Sequence, residues 1–174
     1  MIDGVYAPLG GRIGQCFALS ALTWHVALGR GDPAWDAADR ADPLWQSALA
    51  PDAAQAMALV DEIGRRVADE VAFVTPDPAG EIVLPEGRWT RSASPTNHLY
   101  VQVFLDYGDG AAQTVREVGL FAGGVTLDTL PPGQRWFVAA ELVEPGHLMQ
   151  LLRYAVPIVR SPSVRPLFHF VQSF

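Results

Sequence analysis

The sequence predicts a mainly β protein, α+β in class: one antiparallel, β-sandwich-like domain over residues 1–174, with one short helix and long loops. Three observations carry this. His98 to Tyr107 alternates strictly, with Leu99, Val101, Val103 and Leu105 on one side and Tyr100, Gln102, Phe104 and Asp106 on the other, the period of a strand with two unlike faces. Thr114 to Phe121 returns after Gly108-Asp109-Gly110, which reads as a hairpin turn because glycine and aspartate tolerate positive φ. Around this pair, short β-forming runs are separated by Pro, Gly, Asp or Asn clusters.

The elements follow in order. Residues 1–21 read as an N-terminal arm, glycine-rich from Ala7 to Gly14. Leu22 to Leu28 is rich in β formers and is closed by the turn Gly29-Arg30-Gly31-Asp32-Pro33. Residues 32–51, with several prolines and aspartates and with Trp35 and Trp45, form a long loop whose tryptophans pin it to a surface. A loop of that length in a compact domain suits partner contact. Asp52 is placed to N-cap a helix over 52–66, where Ala56, Leu59, Val60, Ile63 and Val67 recur at helical spacing.

The remaining residues, 67–174, form a β-rich half. Val71 to Thr75, Glu81 to Leu84 and Trp89 to Ser92 precede the long pair, and Gln134 to Leu142 follows it. Gln150 to Arg160 and Pro166 to Phe174 close the chain. Leu148 to Tyr154 fits a helical turn equally well on periodicity, and Pro157 restricts a strand there to a sheet edge. Phe168, Phe170 and Phe174 form an apolar series that must be buried in the chain's own sheet or against another subunit.

Composition narrows the function. The 49% hydrophobic and 18% charged content fits a globular protein and excludes a wholly disordered one. All 12 basic residues are arginine and the net charge is −7, which argues against nucleic acid, whose phosphates need cationic partners, and against anionic lipid. The lone Cys16 permits no intrachain disulfide. The Met1-Ile2-Asp3 start lacks a charged, apolar export signal and no apolar run is long enough to span a bilayer. The expected place of synthesis is the host cytoplasm, with no membrane insertion.

Chemistry is sparse. His25, His98, His147 and His169 stand far apart without metal-ligand spacing. Asp106 and Asp109 flank a turn, and a calcium cage needs more oxygens than that turn supplies. Ser20 and Ser94 lie in no nucleophile elbow, and Gly10 to Gly14 lacks the Lys-Ser/Thr ending of a phosphate loop. The expectation is therefore no enzyme, no cofactor, no metal and no catalytic residue. Five tryptophans, Trp24, Trp35, Trp45, Trp89 and Trp136, offer a sugar-binding surface or, alternatively, anchors for long loops.

Three phrases in order carry a resemblance: Leu22-Thr23-Trp24-His25-Val26-Ala27-Leu28-Gly29-Arg30-Gly31, Leu59-Val60-Asp61-Glu62-Ile63-Gly64-Arg65-Arg66 and Val115-Arg116-Glu117-Val118-Gly119-Leu120-Phe121. Together they resemble the N-terminal domain of phage tail-collar and tail-fibre proteins and of related baseplate-attachment proteins. The resemblance implies a virion tail protein that forms a homo-oligomer and joins tail or baseplate to fibres. With no shaft or receptor-binding tip before Phe174, the expected role is a stand-alone adaptor; the alternative is a carbohydrate- or receptor-binding β module of the tail. The interaction candidates are Trp35, Trp45, Arg116, Glu117, Phe168, Phe170 and Phe174.

Overall fold

A computed structural model describes residues 7–37 and 53–174. One helix, α1 (Leu9–Ser20), precedes strands β1 (Trp24–Gly29), β2 (Glu62–Val67), β3 (Glu70–Pro76), β4 (Ile82–Leu84), β5 (Gly87–Arg91) and β6 (His98–Phe104). Then come β7 (Thr114–Ala122), β8 (Val125–Thr126), β9 (Trp136–Phe137), β10 (Leu142–Glu144), β11 (His147–Val159) and β12 (Leu167–Ser173). The mainly β class, antiparallel and with one α-helix among the described residues, is as the alternation predicts.

The described residues divide into two compact units. One takes the described parts of residues 1–22, 69–102 and 169–174; the other takes those of 23–68 and 103–168. The first is organised on a five-stranded sheet in the order β12-β6-β3-β5-β4. Its core joins Val74, Ile82, Leu84, Trp89, Tyr100 and Val171. Along His98 to Asp106 the predicted apolar side is buried throughout, at Leu99, Val101, Val103 and Leu105, while on the other side Phe104 and Asp106 are exposed and Tyr100 is buried in the core.

Helix α1 replaces the expected loop or arm. Gly10, Gly11 and Gly14 each disfavour a helix by about 1 kcal/mol against alanine, so local propensity does not explain it. Tertiary contacts do. Cys16 is fully buried, Phe17 stacks on Phe73 at 6.5 Å, and Arg12 Nη1 donates to the Phe174 carbonyl at 3.3 Å. Pro8 enters the helix in an extended conformation, with no amide hydrogen to leave unpaired.

The second unit holds a five-stranded antiparallel sheet, β11-β7-β1-β2-β9, and a two-stranded ribbon, β10-β8. Two expectations fail here. The helix over 52–66 is absent: a short 3-10 turn spans Ala53–Gln55, and Glu62–Val67 is a strand paired with β1. The proposed cap Asp52 lies outside the described residues. The strand escaped notice because Arg65 and Arg66, which look like a solvated end, are both buried. Arg65 forms two hydrogen bonds to Glu62, at 2.8 and 2.7 Å, and lies 4.1 Å over the Phe121 ring; Arg66 donates to Asp109 at 2.7 Å. Neutralised in this way, an arginine can occupy an inward strand position.

The hairpin of His98–Tyr107 with Thr114–Phe121 is also absent. β6 pairs with β3 and β12, whereas β7 pairs with β1 and β11. Alternation defines a strand's faces, not its partner. The intervening turn is a sheet-to-sheet connection whose Asp109 is buried and accepts hydrogen bonds from Arg66 and from the Asp106 amide. At the other side of the sheet, β11 is one strand throughout and not a helical turn. It lies at the edge, and its register breaks between Arg153 and Ile158, around Pro157. β12 is likewise an edge strand, within the chain's own sheet.

Candidate functional site

Strand β7 lies between β1 and β11, so both of its neighbours fix its register: Glu117 faces Gly29 on one side and Arg153 on the other. Its alternation sends Arg116 and Glu117 in opposite directions, and each meets one limb of the chain that leaves β1 and returns at β2.

Arg116 takes the outgoing limb. Its guanidinium grips Asp36 with two parallel hydrogen bonds, Nε to Oδ1 at 2.9 Å and Nη2 to Oδ2 at 2.7 Å, the fork geometry that suits a carboxylate. Nη1 donates to the Arg30 carbonyl at 3.0 Å. The hydrogen bonds to Asp36, against a smaller desolvation, hold the arginine further in its charged form. Between Arg30 and Asp36 the chain turns at Gly31, with φ +59°, and a Cβ there would run into the Trp35 ring. Only glycine gives this tight a turn without strain. Trp35 in turn lies under Arg153, whose guanidinium carbon is 4.5 Å from the ring centroid.

Glu117 takes the returning limb. Its side chain is fully buried; Oε1 accepts the Val60 amide hydrogen at 2.6 Å and Oε2 faces Arg153 Nε at 3.5 Å. Arg153 therefore touches both limbs, through Trp35 and through Glu117. Arg30 ties them directly: its amide donates to the Asp61 carbonyl at 2.7 Å, Nη1 pairs with the Asp61 carboxylate at 2.9 Å, and Nε donates to Gln113 at 2.9 Å. Next to them Leu59 is buried against Ala27 and Phe121, with Leu148 and Leu151 alongside. Gly119 makes room for it, since a Cβ at that position would stand 3.0 Å from Leu59 and 2.9 Å from Leu148.

These residues form a clamp on the two ends of the long loop. Its parts are cation–carboxylate pairs, a cation–π contact and apolar packing, all of which fix geometry. None is a nucleophile set beside a base.

Of the seven interaction candidates, Trp35, Arg116 and Glu117 come together here. Trp45 lies outside the described residues, as does the loop interior, 38–52. Phe168, Phe170 and Phe174 are not part of the clamp. Phe168 borders a small apolar cavity of about 100 Å³ with Leu28, Leu105 and Ile158, while Phe170 and Phe174 are half-buried and the most buried residue of β12 is Val171. The Phe174 carbonyl accepts hydrogen bonds from Arg12 and Asn97. Trp24 and Trp89 are buried, and Trp35 and Trp136 are half-buried, positions that suit anchors better than an open sugar platform.

Arg30, Asp36, Asp61 and Arg153 were not among the sequence-derived candidates. Arg116 and Asp36 stand 80 residues apart, and no local spacing connects them. The one available signal was the pair of glycines around Arg30, which marks a turn whose arginine is held in place.

The family comparison bears on the same residues. Over residues 6–174 the chain matches a family described as a baseplate wedge 3 tail fiber network component. No curated protein matches it. The match includes the whole clamp and extends beyond the stretch of resemblance, from Leu22 to Phe121, at both ends. The chain belongs to the baseplate wedge 3 tail fiber network component family and is a structural component of a phage tail.

Proposed function

We propose that the protein is a non-enzymatic adaptor that self-associates and joins the baseplate to fibres through protein–protein contacts. The observation that supports this most directly is the clamp. Arg116, Glu117, Arg153 and Arg30 hold both ends of the chain between β1 and β2 against a central strand. A segment held at both ends has less entropy to lose on binding than a free one, which is how a partly preorganised interface gains affinity. Family membership supplies the setting, a network of tail proteins.

Mass photometry of the purified protein, together with imaging of purified particles, tests the reading. The expected result is a defined oligomer in solution and the protein at the baseplate. Arg116→Ala is expected to leave the sheet folded but to reduce incorporation into particles. A stable monomer that is absent from purified particles overturns the proposal.

A further inference from the structure

All 19 acidic residues precede Pro145, and residues 145–174 contain no aspartate or glutamate. This acid-free stretch supplies one edge strand to each five-stranded sheet, β12 in the first unit's and β11 in the second's. The two edges differ in what they leave open to solvent. β12 has one exposed large apolar side chain, Leu167, whereas β11 has four, Leu152, Val156, Ile158 and Val159. At 13 residues β11 is also the longest strand among the described residues, and of the described strands it pairs with β7 alone.

A long apolar edge invites another strand, and edges that stay solitary are guarded by outward charge, by proline or by a bulge. In β11 the proline and the wide register break lie beyond Arg153, while Gln150 to Arg153 keeps an unbroken register with β7. Arg153, the one arginine of the strand, is no guard. It is turned into its own subunit, with its guanidinium carbon 4.5 Å from the Trp35 ring centroid and Nε 3.5 Å from Glu117, and its side chain is 13% exposed. The other two arginines of the acid-free stretch are engaged as well. Arg160 is buried against the carbonyls of Asp106, Ser161 and Val164, and Arg165 pairs with Asp106 at 3.5 Å.

The charge pattern selects the occupant. An acidic partner needs an outward cation, and the arginine of β11 faces inward. A neutral, apolar strand fits, and β11 is itself such a strand. With a net charge of −7 the chain repels its own copy over most of its surface, so two copies approach best where acids are missing. Across a twofold axis each exposed charge meets its own like, a destabilising arrangement that a strand with its arginine turned inward avoids. We infer that β11 pairs antiparallel with β11 of a second copy, about a twofold axis near Leu152, so that two sheets become one. The inference names the surface used by the self-association of the adaptor reading, and it rests on that reading.

The test is sedimentation velocity on the full-length protein and on two variants at the exposed Leu152, Leu152→Asp and Leu152→Arg. Val83→Asp, at an exposed position on the edge strand β4, is the control. The wild type and Val83→Asp should dimerise. Each Leu152 variant alone should associate at least about tenfold more weakly, because like charges then face each other across the axis, and an equimolar mixture of the two should restore the dimer. Amide exchange at Leu151 to Arg153 should slow as protein concentration rises. A dimer that persists in both variants, or a mixture that associates no better than its parts, overturns the inference and leaves self-association standing. Protection of β11 that is independent of concentration puts the occupant in the same chain, and a monomer that enters particles through Leu152 puts it in another tail protein; either result overturns the inference. A monomer absent from particles overturns the adaptor reading as well.

Discussion

The two units use charge in opposite ways. In the first, the core is apolar apart from one tyrosine, and charge stays outside: Arg91 pairs with Glu70 and Glu81, and its side chain is 43% exposed. In the second, charge is buried. His25, Arg65, Arg66, Asp109, Glu117 and Arg160, all the buried polar or charged side chains among the described residues, lie there. Two salt bridges of the same length, 2.7 Å for Arg91–Glu70 and for Arg66–Asp109, thus have different consequences. The exposed pair is screened by water and by salt. The buried pair cannot be broken on one side without stranding a charge. The unit that holds the loop ends is therefore the one whose geometry is enforced, and buried charge is the means.

The difference is broken most directly at Glu117. Glu117→Ala removes the acceptor of the Val60 amide and the counter-charge of Arg153, with both limbs of the loop affected. Stranding a buried charge costs about 3–5 kcal/mol, so a urea melt of this variant should lose stability on that scale. A loss under about 1 kcal/mol would show that Glu117 is no more enforced than a surface residue.

A pH titration sharpens the comparison next. Burial, and secondarily the charge of Arg65, lower His25 from 6.5 to about 4. The unfolded chain takes up this proton near pH 6.5 while the folded one resists it, so the contribution of His25 is complete above pH 6.5. It is lost as pH falls towards 4, up to about 3 kcal/mol in all. His98 in the first unit is also lowered, by burial and then by Arg12, and acts in the same direction. Denaturation melts between pH 7 and 5 should fall in stability. His25→Phe should flatten most of that fall, and His98→Phe a smaller part. An unchanged slope in His25→Phe would remove His25 from the account.

Gly119→Ala tests whether the clamp also depends on apolar fit. The added Cβ would meet Phe121, Leu148 and Leu59 at 2.8–3.0 Å, and overpacking of this kind costs about 1–3 kcal/mol. Differential scanning calorimetry should show a lowered melting temperature. Amide exchange should rise first around Leu59 to Asp61, the limb that Gly119 accommodates. Uniformly raised exchange across the sheet would instead make Gly119 a general core position.

The sequence was legible where one face of a strand is apolar and the other polar. β6 announces itself by Leu99, Val101 and Val103, buried at every second position, with Leu105 continuing the series just beyond the strand, and Pro157 correctly confines β11 to an edge. It was misleading where buried charge imitates a surface. Arg65 and Arg66 made β2 look like the solvated end of a helix, and the glycines of α1 concealed a helix that tertiary contacts stabilise. Of the clamp, Arg116, Glu117 and Trp35 were legible, two of them through a family phrase. Asp36, Asp61 and Arg153 were not, because a long-range ion pair leaves no spacing to read.

The smallest expected effect is at Arg91, and it decides whether the contrast between the units is one of burial or merely of position. Arg91 has several partners: two hydrogen bonds to Glu70 at 2.7 and 2.8 Å, one to Glu81 at 3.1 Å, and the Tyr100 ring at 5.5 Å. Counting contacts would rank it with Glu117. Solvent access ranks it far lower, because water replaces each lost interaction, and exposed pairs are worth about 0.2–1 kcal/mol. Arg91→Ala should therefore cost less than about 1 kcal/mol in a urea melt, and that cost should shrink further in high salt as screening weakens the pair it removes. A loss comparable to that of Glu117→Ala, or one insensitive to salt, would mean that the first unit also relies on enforced charge and that the contrast drawn from burial is false.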